Sequence, residues 1–384
     1  FPEDSGGMFP NLIESWRGRI VMSGCPNEPH NWFMTAIGTM DDWQYFPEIV
    51  TEYTATAGHV SDAGQMPDII RGLVPFSDDV MIFLGDRSIW QLSGDPMSGG
   101  RWDLLSDKTG SAWGRAWCKD SHGVVYFFGS TGGVYRIQPR GLPQKITVGV
   151  IDKKMRDIDL SSTIVRMEWN EKAQGVHLFF IKNDKTSKEE CYFYDARSNS
   201  WWPDKFDHLA HNTSCTMTYD GDASGDREVL LGGRDGYVYK FDSGEPRDRT
   251  ENDATYVDID SHVYLGPIAI GYKIVVDEVH GKLALNSGTV KWDMHAGSSA
   301  ESALPGDVVG DDITDTTRGL AGTGSWVVSD IDGDNIGKNV ERMRAVGDAF
   351  YLKLYNDASP SKRWAFESVQ VQYYPVGREA SRTL

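Results

Sequence analysis

One loop late in the sequence carries oxygen-bearing side chains at the spacing of a cation site. The oxygen donors occupy alternating positions and the end of the turn: Asp220, Asp222, Ser224 and Glu228. Gly225 permits the sharp bend, and Ca²⁺ is a cation that such a set of oxygen ligands binds. Ser224 stands where a third carboxylate would bind more strongly. The spacing therefore predicts a weak calcium site, with a solvated hairpin turn as the alternative, because the same residues are good turn formers.

Two other groups of side chains have the spacing of metal ligands but lack part of the pattern. The first repeats the acidic spacing without a glycine at its sixth position: Asp330, Asp332, Asp334 and Asn335. The second has the H-x-x-H-x-x-x-C spacing of a zinc site: His208, His211 and Cys215. A structural zinc site needs a fourth ligand, and the sequence predicts none. We therefore favour ordinary surface or core residues over a metal centre at both places.

The sequence patterns give little support for catalysis. The segment Ser106–Trp113 comes nearest to the Asp-box turn of some glycosidases, but Lys108 occupies the position of the required carboxylate. Carboxylate pairs such as Asp157 and Asp159 are too common in an acidic chain to indicate acid–base catalysis. No arginine cluster for a substrate carboxylate is evident, and no G-x-S-x-G, P-loop or dinucleotide-binding motif is present. The sequence predicts a protein that is not an enzyme.

The aromatic residues offer a different chemistry, the stacking of a sugar ring. The sequence contains 13 tryptophans, and Trp16, Trp201 and Trp202 could contribute to a sugar-binding surface. Packing in the core and between sheets is the more ordinary role of tryptophan. Binding of host glycans is therefore kept as an alternative function, and a glycosidase as a weaker one.

Charge and cysteine content restrict the remaining classes of function. The chain of 384 residues has a formal net charge of −18, which opposes affinity for nucleic acid phosphates but suits a surface past which nucleic acid slides. No stretch approaches the ~20 apolar residues that a membrane helix needs, so we expect no membrane segment. The cysteines form no C-x-x-C pair, and we expect reduced, mostly buried thiols: Cys25, Cys118, Cys191 and Cys215.

A strand–turn–strand pattern recurs along the chain and must position any site there. It has an apolar strand, a turn rich in glycine or aspartate, and a returning strand with an aromatic residue. It occurs in four segments, the last of them a looser version: Asp79–Leu92, Gly123–Ile137, Arg227–Phe241 and Gly175–Asp195. Such segments form β-hairpins. A period of roughly 45–55 residues, with about four strands per repeat, is typical of β-propeller blades.

The residue pattern of the sequence changes after the last of these strand–turn–strand segments. Residues 1–245 form propeller blades in this interpretation, and residues 246–256 form a polar linker without apolar periodicity. Residues 257–384 hold longer alternating strands and form an antiparallel, β-sandwich-like module, which could contribute a strand that closes the propeller. A helix-like pattern lies within residues 144–162, with a surface turn as its alternative. The predicted fold class is all-β: a β-propeller followed by a sandwich-like module.

The order of several segments resembles a known family. The first is the strand RIVMSG, followed by P-x-x-W-x-x-x-x-x-G-x-x-x-x-W, then MIFLGDRSIWQLSGDP, G-x-x-W-G-R-A, GVVYFFGSTGGVYRI and finally RWAFESVQVQYYPVGR. They occupy, in this order, Arg19–Gly24, Pro29–Trp43, Met81–Pro96, Gly110–Ala116, Gly123–Ile137 and Arg363–Arg378. This succession resembles the tail nozzle, or tail tubular, β-propeller proteins of short-tailed bacteriophages. The resemblance covers residues 18–137 well and 363–378 moderately, and it rests on the order of the motifs.

The resemblance implies a structural role in a virion tail. In that family the subunits form a ring, typically of six, around the channel through which the genome leaves. It implies a homo-oligomer made in the bacterial cytoplasm and located in the virion, with adaptor and tail fibre or spike proteins as partners. Double-stranded DNA would pass without specific binding, and carboxylates lining a lumen would repel its phosphates.

Two long loops rich in glycine, serine and aspartate are candidates for channel, gating or subunit contacts. They span Thr54–Pro67 and Ala296–Thr323. Their candidate residues are Thr54, His59, Asp62, Asp307, Asp311 and Asp312. A plain surface loop that contacts a neighbouring protein is the alternative for each.

Overall fold

The computed structural model contains two compact units, Phe1–Asp242 and Ser243–Leu384. It describes residues 9–138, 141–148, 151–182, 190–204, 213–222, 227–241, 247–249, 256–258, 261–284, 287–303, 319–326, 338–356 and 364–376. The described ranges are dominated by β-strands, with two short helices, α1 (Asp152–Arg156) and α2 (Ala300–Ala303). Neither helix has the length and apolar composition that crossing a bilayer requires.

In its described residues, the first unit consists of five antiparallel sheets that follow one another along the chain. Every strand pairs with the next one in sequence, so each sheet is a meander. The first sheet is β1 (Leu12–Trp16), β2 (Arg19–Cys25), β3 (Glu28–Met34) and β4 (Thr56–Ala57). The second is β5 (Ile70–Ser77), β6 (Val80–Gly85), β7 (Ile89–Asp95) and β8 (Ser98–Ser106). The third is β9 (Trp117–Lys119), β10 (Val125–Phe128), β11 (Val134–Ile137) and β12 (Gln144–Lys145). The fourth is β13 (Thr163–Asn170), β14 (Gly175–Lys182), β15 (Glu190–Asp195) and β16 (Ser200–Asp204), and the fifth is β17 (Thr213–Tyr219), β18 (Glu228–Gly233) and β19 (Val238–Lys240).

The recurring sequence pattern forms the central hairpins of these sheets. In three hairpins the aromatic residue of the returning strand lies opposite an apolar residue of the preceding strand: Phe83 and Trp90, Phe127 and Tyr135, Leu231 and Tyr239. The rings of Phe127 and Tyr135 stack with centroids 5.3 Å apart. Cross-strand pairs of this kind stabilise a sheet, and they fix the register of each predicted hairpin.

Consecutive sheets bury their faces against each other. In β10, Val125 and Phe127 pack against the second sheet, while Tyr126 and Phe128 pack against the fourth. Because neighbouring residues of a strand point to opposite faces, a strand covered on both sides must be apolar throughout, as this one is. The same packing joins the first sheet to the second and the fourth to the fifth. The sheets are therefore the blades of a β-propeller, which confirms the predicted fold class.

The first strand of each blade lies at a common edge, which we call the inner edge. Strand β1 lies beside β5, β9 beside β13, and β13 beside β17. Strands β5 and β9 are linked by Lys119, whose Nζ donates a hydrogen bond to the carbonyl of Pro75 at 2.9 Å. Side chains from different blades therefore meet at the inner edge.

The second unit is an antiparallel sheet folded over on itself. A small pair, β20 (Arg247–Arg249) and β21 (Tyr256–Asp258), precedes a sheet with the strand order β24-β23-β25-β22-β26. Its strands are β22 (His262–Leu283), β23 (Val290–Gly297), β24 (Leu320–Trp326), β25 (Lys338–Asn356) and β26 (Phe366–Pro375). Two strands lie between β24 and β22, so in a flat sheet these two strands would be about 14 Å apart. Trp326 of β24 nevertheless lies directly on Gly281 of β22. The long strands bend at register shifts, so the two halves of the sheet form the layers of the predicted sandwich-like module.

Two local expectations need correction. The segment predicted as a linker, 246–256, includes β20 and the start of β21, because backbone pairing does not require the apolar periodicity that the segment lacks. The loop predicted over Thr54–Pro67 contains β4, and its Ala55, Ala57 and Met66 are buried. Small apolar residues spaced among polar ones concealed this edge strand in the sequence.

The predicted helical segment does contain α1, and all four cysteines are free thiols. Cys25, Cys118 and Cys191 are buried as expected, whereas Cys215 is exposed.

Candidate functional site

Residues Trp113, Gly114 and Arg115 form a point of contact between blades at the inner edge, which we call the hub. Trp113 reaches the first blade, where its Cη2 would lie 3.0 Å from a Cβ placed on Gly24. Its indole also stacks with the guanidinium of Arg71 in the second blade, at 5.4 Å from the ring centroid. The indole is 39% exposed, so part of it remains available to a ligand.

The rest of the hub extends these contacts to the fourth blade. The N–H of Gly114 donates to the carbonyl of Arg71 at 2.9 Å, and the carbonyl of Arg115 accepts from the N–H of Met167 at 3.2 Å. Nη1 of Arg166 would lie 3.1 Å from a Cβ on Gly114. Gly114 has φ of +78°, a conformation that glycine adopts at little cost. Glycine at position 114 therefore allows both the backbone conformation of the turn and the close approach of the Arg166 guanidinium.

The hub is held in place by the third blade. The N–H of Ala112 donates to the carbonyl of Phe128, and the N–H of Phe128 donates to the carbonyl of Ala116, both at 2.8 Å. The segment therefore crosses the inner edge as an anchored extension of the sheet.

Three guanidinium groups meet at the hub, one of them its own Arg115, and they differ in their partners. Arg71 binds Asp86, with Nη2 at 2.7 Å from Oδ1. Arg115 lies 3.6 Å from a carboxylate oxygen of Glu14, is 60% exposed, and stacks on Trp117 at 5.3 Å. Arg166 makes no hydrogen bond or ion pair with any residue in the described ranges. Burial lowers the pKa of its guanidinium, and the positive charge of Arg115 lowers it further.

Two carboxyl groups lie near these arginines. Burial raises the pKa of Glu14, although Arg115 and Lys119 oppose the shift. Burial also raises the pKa of Glu168, against hydrogen bonds from the hydroxyls of Thr218 and Thr216. These threonines belong to the fifth blade, so Glu168 joins two blades. Its carboxylate is occupied by them and does not pair with Arg166.

The arrangement can bind an anion. The chain is strongly acidic, but Arg71, Arg115 and Arg166 from three blades lie at the hub, with Asp86, Glu14 and Glu168 as nearby carboxylates. These arginines form no cluster in the sequence because they belong to different blades. The available signal was their position at the start of successive repeats, directly before or within the first strand.

The predicted calcium ligands have other partners in the structure. One carboxylate oxygen of Glu228 accepts from both Lys172 and Lys240, and these hydrogen bonds lower its pKa. Asp220 pairs with Arg227 at 3.3 Å, and Asp222 is exposed. The described residues contain no group of three or more His, Cys, Asp or Glu side chains placed to bind a metal. Because Ser224 lies outside the described residues, the calcium site stays a prediction.

The other sequence candidates are dispersed. Thr54 accepts a hydrogen bond through its carbonyl from Arg19, His59 lies 3.0 Å from Asn31 through Nδ1, and Asp62 is exposed. The remaining candidates lie outside the described residues: His208, His211, Asp307, Asp311, Asp312, Asp330, Asp332, Asp334 and Asn335.

The tryptophans predicted as a possible sugar surface do not share one. Trp16 is buried and donates through Nε1 to the carbonyl of Ser77 at 2.7 Å. Trp201 packs on Tyr194 in the core between the third and fourth blades. Trp202 points to the opposite face and is 49% exposed. Packing between blades therefore accounts for Trp16 and Trp201.

A second functional feature is an exposed apolar stretch, residues 39–53, which we call the apolar segment. It lies between β3 and β4, and five of its large side chains are 58–78% exposed: Met40, Phe46, Ile49, Val50 and Tyr53. Its inner side is fixed by buried Tyr45 and by the N–H of Ile37, which donates to the carbonyl of Tyr53 at 2.9 Å. Large exposed apolar patches are the kind of surface that proteins use to contact partners, so the apolar segment is a candidate contact site.

Comparison with known proteins identifies no family for the chain. No protein-family model matches the chain, and no curated protein matches it. Among solved structures, the extracellular domain of a one component system from B. thetaiotaomicron has a TM-score of 0.33 at 12% identity, over 62% of this chain and 32% of that chain. An exo-β-1,3-galactanase from Phanerochaete chrysosporium has a TM-score of 0.32 at 7% identity, covering 94% of this chain and 95% of that chain. The six-bladed β-propeller lectin of Aleuria aurantia has a TM-score of 0.33 at 10% identity, over 61% of this chain and 74% of that chain. Likenesses at these scores carry no argument about activity or ligands.

Proposed function

We propose that this protein is a structural subunit of a bacteriophage tail, and that its copies form the ring at the tip of the channel through which DNA leaves. The order of sequence motifs suggests the family, and the apolar segment is the structural observation that carries the proposal. The proposed role requires no catalysis. Its partners would be further copies of the chain and other tail proteins in the virion.

The size of the apolar segment suits a subunit interface. Its five exposed side chains present roughly 600 Å² in total, at about 150–250 Å² for each large side chain. A stable interface buries about 800 Å² on each partner, so this surface would supply most of one side. The surrounding acidic residues, Asp41, Asp42, Glu48 and Glu52, would form the polar rim that such interfaces have.

The blades would give the ring its rigidity. Buried apolar faces join successive blades, and the hub ties together four of them, so the first unit would transmit load without rearrangement. The net charge of −18 would keep DNA phosphates from adhering as they pass. The loops Thr54–Pro67 and Ala296–Thr323 remain candidates for contacts with the channel or with neighbours.

Light scattering combined with negative-stain imaging tests the proposal. The wild-type protein should form closed rings, alone or with co-expressed neighbouring proteins, and Ile49→Asp should convert them to monomers. Leu142→Asp is the matched control, because Leu142 is 67% exposed but lies outside the apolar segment. A wild-type monomer under all of these conditions, or rings that persist in Ile49→Asp, would refute the proposed contact.

Glycan binding is a second candidate function, favoured by the partly exposed indole of Trp113 beside arginine side chains. A tryptophan next to hydrogen-bond donors can hold a sugar ring by stacking and orient it by polar contacts. Screening against a glycan array distinguishes the two functions. Binding that Trp113→Ala abolishes, in a protein that forms no ring, would favour the second.

A further inference from the structure

Arg166 places a positive charge at the inner edge. It lies within β13 and is partly buried, yet it has no hydrogen-bond or ion-pair partner among the described residues. Taking a guanidinium partly out of water without a partner costs free energy. The second cation beside it, Arg115, raises this cost. A side chain that destabilises its own fold in this way is a candidate for ligand binding.

The surroundings leave Arg166 available to a ligand. The nearest carboxylate on its own strand, Glu168, is held by Thr216 and Thr218 of the fifth blade. Cys215 is also near: it acts to raise the pKa of Arg166, against the effect of burial, and it is exposed. Gly114 has no side chain to cover the guanidinium.

The neighbouring groups would complete a binding site. Arg115 is mostly exposed, and its pairing with Glu14 at 3.6 Å is long for a charge-assisted hydrogen bond, which measures about 2.7–2.9 Å. It could turn towards a ligand at small cost. Trp113 directly precedes Gly114 and Arg115 in the chain, and Gly114 lies against the guanidinium of Arg166.

We propose that Arg166 and Arg115 bind the carboxylate or phosphate group of a sugar-sized ligand whose ring packs against Trp113. The planar fork of a guanidinium matches the oxygen atoms of both groups. The aromatic surface selects a ligand that carries a ring next to its charge. This inference rests on the second function proposed above, sugar binding at the hub, and is independent of the ring.

Isothermal titration calorimetry of the full chain tests the inference with three probes. These are glucuronate, glucose 6-phosphate and neutral glucose. The first tests a carboxylate, the second tests a phosphate, and the third tests the sugar ring without a charge. We expect at least one charged probe to bind at least tenfold more tightly than glucose. Arg166→Met should weaken that binding about tenfold or more, since a hydrogen bond to a charged group contributes about 1.5–3 kcal/mol.

The stability of the variant separates a binding role from a structural one. Because the unpaired charge is removed, Arg166→Met should melt at the same temperature as the wild type or higher. Arg101→Met is the matched control, since Arg101 is 74% exposed and pairs with Asp103 away from the hub, and it should bind as the wild type does. Arg166→Lys, which retains the charge, should show intermediate affinity.

Three outcomes would overturn the inference. Failure of both charged probes to bind, or unchanged affinity in Arg166→Met, would remove the oxyanion site. Equal affinity for glucose and the charged probes would also overturn it, while supporting sugar binding at the hub.

Discussion

Replacement of Arg19 by methionine should release the apolar segment from the first blade. Arg19 lies in β2 and is only 2% exposed. Its Nη1 donates to the carbonyls of Thr35 and Thr54, and its Nη2 donates to the carbonyl of Glu52, each at 2.6 Å. Thr35 precedes the apolar segment, Glu52 lies near its end and Thr54 follows it, so one guanidinium closes the base of that loop.

The expected loss of stability follows from two opposing contributions. Each hydrogen bond from a charged donor contributes about 1.5–3 kcal/mol, and Arg19→Met removes three of them. Burial of the guanidinium costs free energy, as the lowered pKa of Arg19 reflects, and the variant recovers several kcal/mol of that cost. We expect a net loss of about 2–4 kcal/mol in the free energy of unfolding.

Urea unfolding and limited proteolysis with chymotrypsin measure the two consequences. Arg19→Met should unfold at lower urea concentration, and cleavage at Phe46 and Tyr53 should accelerate because the loop is no longer closed. Arg19→Lys should be no more stable than Arg19→Met, because lysine keeps the buried charge but lacks the planar fork that reaches three carbonyls.

Arg101→Met serves as the control for loss of an exposed arginine and should leave both measurements unchanged. The reasoning would be refuted if Arg19→Met stayed within about 0.5 kcal/mol of the wild type, which is the usual range of a surface substitution. Full recovery of stability in Arg19→Lys would show that charge, and not hydrogen-bond geometry, is what the site requires.

Two further substitutions test the inner edge and the second unit. Burial raises the pKa of Glu168 above its usual 4.5, so the folded protein binds more protons there than the unfolded chain, and stability falls as pH rises through that window. Glu168→Gln should remove this dependence in urea unfolding measured from about pH 4 to pH 8, the range that starts near the usual carboxyl pKa and extends above it. Glu171→Gln is a control of opposite sign, because a hydrogen bond from Trp169 lowers the pKa of Glu171; identical pH profiles for the two variants would contradict the assignment. Gly281→Ala should destabilise the second unit by about 1–3 kcal/mol, since the added Cβ would overlap the indole of Trp326; unchanged tryptophan fluorescence and melting temperature would count against the folded-over sheet.

The sequence determined the hairpins and the class of the fold. The paired residues of a hairpin are close in sequence, so the turn residues and the alternation of side chains are sufficient to set their register. The strand pairs around Gly85, Gly129 and Gly232 follow the predicted pattern for this reason. The change of texture after the blades likewise predicted a separate antiparallel module, although the short strand Arg247–Arg249 was missed because its charged residues carry no apolar period.

The arrangement of the hub and its arginines in space depends on the tertiary structure alone. Arg71, Arg115 and Arg166 belong to three blades, and nothing in their local sequence indicates that they meet at one edge. The same holds for Trp16, whose indole is buried by the way the first two blades pack. Local pairing is encoded within a few neighbouring residues, whereas contacts between blades depend on how all the buried faces stack together. That stacking is what places the guanidinium of Arg166 beside Gly114.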